Sequence, residues 1–187
     1  PYTTLFRSSG MKALRELHII MQAKDNVIMT FFEALNNYEI SKFTLEITHP
    51  STEQPNKFLE SSGFAPIFMH FLPNQKNLEE LAIFLHYPIL KIGDICYLLE
   101  SVSNINALSS LQIEARVLRD NRESVGHLLK ILRTSLEKMN ALKNIEIEFM
   151  GYQNYEFWLS LFQGLTEATP KNIFSRYNFV YKKTCCL

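Results

Sequence analysis

The chain has 187 residues, 47% of them hydrophobic and 20% charged, enough apolar material for one domain with a buried core and too much for a disordered segment. Its 19 basic and 19 acidic residues cancel, so no net charge points to nucleic acid or to an anionic membrane. No apolar run reaches the length of a membrane-spanning helix, since the longest, around Phe64 to Leu72, is short and contains Pro66 and His70.

The first eight residues, PYTTLFRS, match letter for letter the translation of a common sequencing-library adapter, and residues 1–8 are therefore read as foreign. On that reading the native sequence starts near Ser9, in mid-protein, and the chain is a fragment.

From there one pattern recurs: apolar, two residues, apolar, one residue, apolar, then usually one more apolar two further on. The copies are Leu14, Leu17, Ile19, Met21; Ile40, Phe43, Leu45, Ile47; Leu78, Leu81, Ile83, Leu85; Leu108, Leu111, Ile113, Ala115; and Leu142, Ile145, Ile147, Phe149. A weaker sixth reads Phe174, Tyr177, Phe179, Tyr181. The ends of these copies alternate apolar with polar, the mark of a short strand with one buried face. Parallel strands are expected near Leu17–Met21, Phe43–Ile47, Leu81–Leu85, Leu111–Ala115 and Ile145–Phe149.

Between copies the period becomes helical. Asp25, Asp94, Asn121 and Asn154 are expected as N-caps. They stand ahead of the stripes Ile28, Phe32, Leu35; Ile95, Leu98, Leu99, Val102; Val125, Leu128, Leu132, Leu136; and Phe157, Trp158, Leu161, Leu165. Lys57 to Leu72 is the least regular stretch, broken by Gly63 and Pro66. Strict alternation of strand and helix also fits a doubly wound sheet. Such sheets want strands that are apolar on both faces, and here every strand has a polar face. No Gly-rich phosphate loop follows any strand either.

These LxxLxI copies with a helix between them resemble leucine-rich repeats of the ribonuclease-inhibitor type. The stretch NLEELAIFL followed by KIGDICYLLESVSNINALSSLQIE is closest, and Ile92-Gly93-Asp94 is similar to the turn of divergent repeats common in ciliated protists. The resemblance implies an α/β leucine-rich-repeat solenoid (a horseshoe), with parallel strands on the concave face and helices on the convex face. It covers residues 9–182 as five to six repeats of a longer array, with 183–187 as a tail. The family usually carries Asn or Cys three residues after the third apolar position, whereas Gln22, Thr48, His86, Arg116 and Met150 stand there in this chain.

The resemblance also implies a protein-interaction scaffold with no catalytic residues, and the register says which side chains it would use. Outward residues should form rows across the strands: Glu16, Lys42, Glu80, Ser110, Asn144, Arg176; then His18, Thr44, Ala82, Gln112, Glu146, Asn178; then Ile20, Glu46, Phe84, Glu114, Glu148, Val180. Adjacent strands lie about 4.8 Å apart, which makes Glu114 and Glu148 neighbours and Glu146 diagonal to both, with Arg116 placed to offset them. The candidate partner-binding residues are therefore Glu46, Phe84, Glu114, Glu146, Glu148 and Arg116, for a basic, partly apolar protein partner. The plainer reading is that a strand face needs solubilising residues and glutamate is one of them.

No HExxH, GxSxG, P-loop, GxGxxG or CxxC motif occurs, and the five histidines form no ligand pair, so neither cofactor nor metal is expected. Cys96 reads as a small core residue. The tail pair Cys185-Cys186 follows Lys182-Lys183 and would suit S-acylation. The ending TCCL does not fit a prenylation box, however, and a frayed terminus is the simpler reading. Three cysteines without an Asn-x-Ser/Thr site suggest a reducing, cytoplasmic setting. Uncapped terminal repeats would expose apolar flanks, so self-association through the N-terminal edge is expected. The alternative is a regulatory or substrate-targeting segment of a larger enzyme, such as a kinase or a ubiquitin-ligase receptor.

Overall fold

Strands with a single apolar face cannot bury it alone, and stacking like strands in parallel with helices on one side solves the problem for all of them at once. The structure of the chain, a computed structural model, describes residues 15–22, 32–36, 38–48, 70–117, 122–150 and 178–180. The described residues are α/β: one sheet holds β1 (Glu16–Gln22), β2 (Lys42–Thr48), β3 (Glu80–Leu90), β4 (Ser110–Val117), β5 (Asn144–Met150) and β6 (Asn178–Val180). Spatial order follows chain order, and every neighbouring pair is parallel. The five expected strand segments all lie inside observed strands. Trp158 and its stripe, Asp25, Asn154, residues 1–8 and the cysteine pair of the tail lie outside the described residues.

The inward positions are those the pattern marked. Leu17, Ile19, Phe43, Leu45, Ile47, Leu81, Ile83, Leu85, Leu111, Ile113, Ala115 and Ile145 are all buried in one cluster. Helix α1 (Ile92–Val102) adds Ile95, Leu98, Leu99 and Val102 to it, and α2 (Arg122–Lys138) adds Leu128, Leu132 and Leu136. Residues 32–35 are helical and add Phe32 and Leu35. A 3₁₀ turn at Leu72–Asn74 leads into β3.

Backbone hydrogen bonds lock this stack where each repeat enters its strand. The carbonyl of Arg15 accepts the amides of Ser41 (2.8 Å) and Lys42 (2.9 Å), and that of Ser41 accepts Glu79 (2.8 Å) and Glu80 (3.0 Å). Glu79 then accepts Ser109 and Ser110, and Ser109 accepts Lys143 and Asn144. Two serine hydroxyls reinforce the series, Ser41 Oγ donating to the Arg15 carbonyl and Ser109 Oγ to that of Glu79, each at 3.0 Å. One carbonyl with two lone pairs thus holds two amides of the following repeat.

Three expectations need correction. Asp94 is not the N-cap of α1. The helix begins two residues earlier, Lys91 is the N-cap, and Asp94 in the third helical position accepts the Lys91 amide at 3.0 Å. A carboxylate in the first turn satisfies a free amide and complements the helix dipole from there as well. Strand β3 runs to Leu90, well past Leu85, because pairing breaks after Leu85↔Ala115 and resumes at Leu90↔Val117. That is a bulge, and Pro88 within it has no amide to give to a ladder. The sixth copy sits two residues from the expected register, with Asn144↔Asn178 and Glu146↔Val180. A shift of two keeps every side chain on its face, so alternation alone cannot detect it.

Across the first two repeats Phe32, Phe43 and Phe71 pack as a trio, with ring centroids 5.0–6.1 Å apart in tilted and edge-on arrangements. Phe71 is 1% exposed. Phe71→Ala is expected to cost about 3–5 kcal/mol in denaturant-induced unfolding, and Thr44→Ala, on the opposite face, within about 0.5 kcal/mol. A Phe71→Ala midpoint matching the parent would show that the trio is not part of the core.

Candidate protein-binding face

The outward residues of β1 to β5 form the rows expected from alternation. In the first, Glu16↔Lys42↔Glu80↔Ser110↔Asn144 align, and Lys42 Nζ lies 3.0 Å from Glu80 and 3.8 Å from Glu16. The hydrogen bond and charge of Glu80, with the charge of Glu16 behind them, raise the pKa of Lys42 above the ordinary lysine value. In the third row Ile20↔Glu46↔Phe84↔Glu114↔Glu148 align across five strands. Ile20 is 64% exposed, an apolar side chain left in solvent beside the carboxylates.

Four of the six predicted residues, Glu46, Phe84, Glu114 and Glu148, thus share one row. Glu146 lies in the second row, aligned with Gln112, which makes it diagonal to Glu114 as expected. Arg116 is exposed near the C-terminal end of β4, aligned with Met150. Against Glu114 stands His86, whose Nδ1 lies 3.4 Å from the Glu114 carboxylate, while its Nε2 lies 4.0 Å from Glu46. The imidazole also stacks on Phe84, with centroids 6.4 Å apart and planes 14° from parallel. Phe84 is half-buried and not part of the core cluster.

His86 is the residue that the sequence reading passed over. It stands two positions after Phe84, so period two puts it on the outward face. What that period cannot show is the bulge after Leu85, which leaves His86 without a Cα partner on either side. A second feature that was missed is an open groove of about 370 Å³ between the first two rows, lined by Lys42, Thr44, Glu80, Ala82, Ser110 and Gln112 among others. The signal for it was present: Thr44, Ala82 and Ser110 are small residues among long ones.

No group of three or more His, Cys, Asp or Glu among the described residues could hold a metal ion, and no described helix is long and apolar enough to cross a membrane. Cys96 is buried on the inner side of α1. Burial, with the charge of Glu100 as a smaller cause, pushes its thiol from the ordinary 9.0 up to about 11.

No family model matches this chain, and no curated protein does. Among solved structures, the C-terminal domain of tropomodulin from Caenorhabditis elegans is similar, with a TM-score of 0.51 and 15% identity over 89% of this chain and 87% of that one. The likeness concerns the fold, which in that domain is leucine-rich-repeat-like, and it supports the resemblance read from the sequence in that coarse form.

The Cys96 thiol supplies a check on the inner side of the sheet. A raised pKa means that folding favours the protonated thiol, so this contribution to stability is complete below about pH 9.0 and disappears as pH climbs towards about 11. In a Cys185→Ser, Cys186→Ser background, alkylation of Cys96 at about pH 8 is expected to be slow until denaturant unfolds the chain. Native labelling as fast as unfolded labelling would place Cys96 on the surface.

Proposed function

We propose that the chain is part of a leucine-rich-repeat solenoid, a horseshoe acting as a protein-interaction scaffold in the cytoplasm. Its concave strand face binds a basic, partly apolar segment of a partner protein, and it catalyses nothing. The observation behind this reading is the third row. Glu46, Phe84, Glu114 and Glu148 lie side by side on the sheet face opposite the helices, with Ile20 at one end and the groove over Ala82 alongside. Closely spaced carboxylates attract cationic side chains, and the aromatic and aliphatic groups between them supply apolar area of the kind that anchors an interface.

An array of synthetic peptides ranging from strongly acidic to strongly basic tests this on the full chain. Retention is expected to rise with positive charge and apolar content, and to fall as salt is raised from about 0.05 to 0.5 M. It should be lost in the triple variant Phe84→Ala, Glu114→Lys, Glu148→Lys, while each change alters stability by no more than about 0.5 kcal/mol. Binding indifferent to peptide charge, or unchanged in the triple variant, would overturn the proposal. Unfolding of the triple variant would show these side chains to be part of the core.

A further inference from the structure

At the centre of the strand face a flat, nitrogen-bearing group lies on an aromatic ring between two carboxylates. The imidazole of His86 stacks on Phe84 at 6.4 Å and 14°, with Nδ1 3.4 Å from Glu114 and Nε2 4.0 Å from Glu46. We propose that this constellation recognises an arginine side chain of the partner polypeptide, and that His86 occupies the arginine's place in the free chain. The inference rests on the protein-binding reading above and names the chemistry of its central contact.

The surroundings suit a guanidinium better than they suit the imidazole. Both of the imidazole's carboxylate contacts exceed the roughly 2.8 Å of a charge-assisted hydrogen bond. A neutral imidazole has one N–H and can donate to only one of two carboxylates. A guanidinium is planar and permanently charged, stacks on aromatic faces, and carries five donors that can serve Glu46 and Glu114 together. A lysine ammonium is a compact point charge and matches the flat slot less well.

The backbone allows the exchange. Glu46, Phe84 and Glu114 are held in register, Glu46↔Phe84↔Glu114, by regular pairing on both sides of β3. His86 begins the bulge, outside that ladder, so its side chain can swing away while the carboxylates and the phenyl ring stay in place. The groove over Ala82, two residues before Phe84 on the same strand, leaves room beside the site for the bound segment. His86 is faced by Glu46 from β2 and by Glu114 from β4, with Arg116 the next outward residue on β4.

Three blocked peptides alternating leucine with arginine, lysine or citrulline test this on the full chain, with binding followed by fluorescence anisotropy. The arginine peptide is expected to bind about three- to five-fold more tightly than the lysine peptide, and the citrulline peptide least. His86→Ala should tighten arginine binding. His86→Gln repeats the measurement should alanine disturb the bulge. Phe84→Ala should remove the preference for arginine over lysine. Equal binding of the arginine and lysine peptides would overturn this inference and leave the basic-partner reading in place. Weaker arginine binding in both His86 variants would overturn it too, because His86 would then be a contact and not a competitor. No binding of either cationic peptide would overturn both readings.

Discussion

The architecture depends on one repeated hydrogen-bond arrangement, the carbonyl just before each strand that takes two amides from the next repeat. Arg15, Ser41, Glu79 and Ser109 each do this. The bond pair marks where the next strand starts, and burial of the inner set holds it there, because a slip of one residue would turn that set outward. The copies begin at Leu14, Ile40, Leu78, Leu108 and Leu142, at uneven intervals, yet the rows across the sheet from β1 to β5 stay aligned. The unevenness therefore falls between the strands, where the described connections include the helices α1 and α2.

That separation explains what could be read without coordinates. Strand positions, parallel order, the inner face and the outer rows all follow from two local periods and a repeat, and Leu81, Ile83 and Leu85 against Glu80, Ala82 and Phe84 are plain to see in the sequence. Features that arise from backbone irregularity were not legible. Nothing in HYPI, residues 86–89, announces three extra residues between Leu85↔Ala115 and Leu90↔Val117, and without that bulge His86 would be one more outward residue in a ladder. The two-residue shift of the sixth copy was hidden because even shifts preserve the pattern. Asp94 was recognised as a capping residue and placed at the wrong position, since a carboxylate serves at the helix start and in its first turn alike.

Gln75 shows how a polar residue enters the core between repeats. It is 2% exposed, at the turn position where the two following repeats carry the buried apolar residues Ile105 and Met139. Its side-chain oxygen accepts the amide of Ile40, ahead of β2, at 3.4 Å, while its Nε2 is buried without a hydrogen-bond partner. An unpartnered amide hydrogen in the core opposes folding, so the contact to Ile40 carries a local cost on the other end of the same side chain. The trio of Phe32, Phe43 and Phe71 packs around the same repeats and supplies apolar contact there.

Because the buried inner rows and the main-chain bonds of Arg15, Ser41, Glu79 and Ser109 hold the strands in place, the outward side chains are left comparatively free to change. A lineage could exchange residues such as Thr44 or Gln112 one at a time, keep the same backbone throughout, and arrive at a different binding preference without passing through an unfolded ancestor. The inner rows have no such freedom. Selection can therefore act on recognition and on foldedness at alternate positions of the same seven-residue strand.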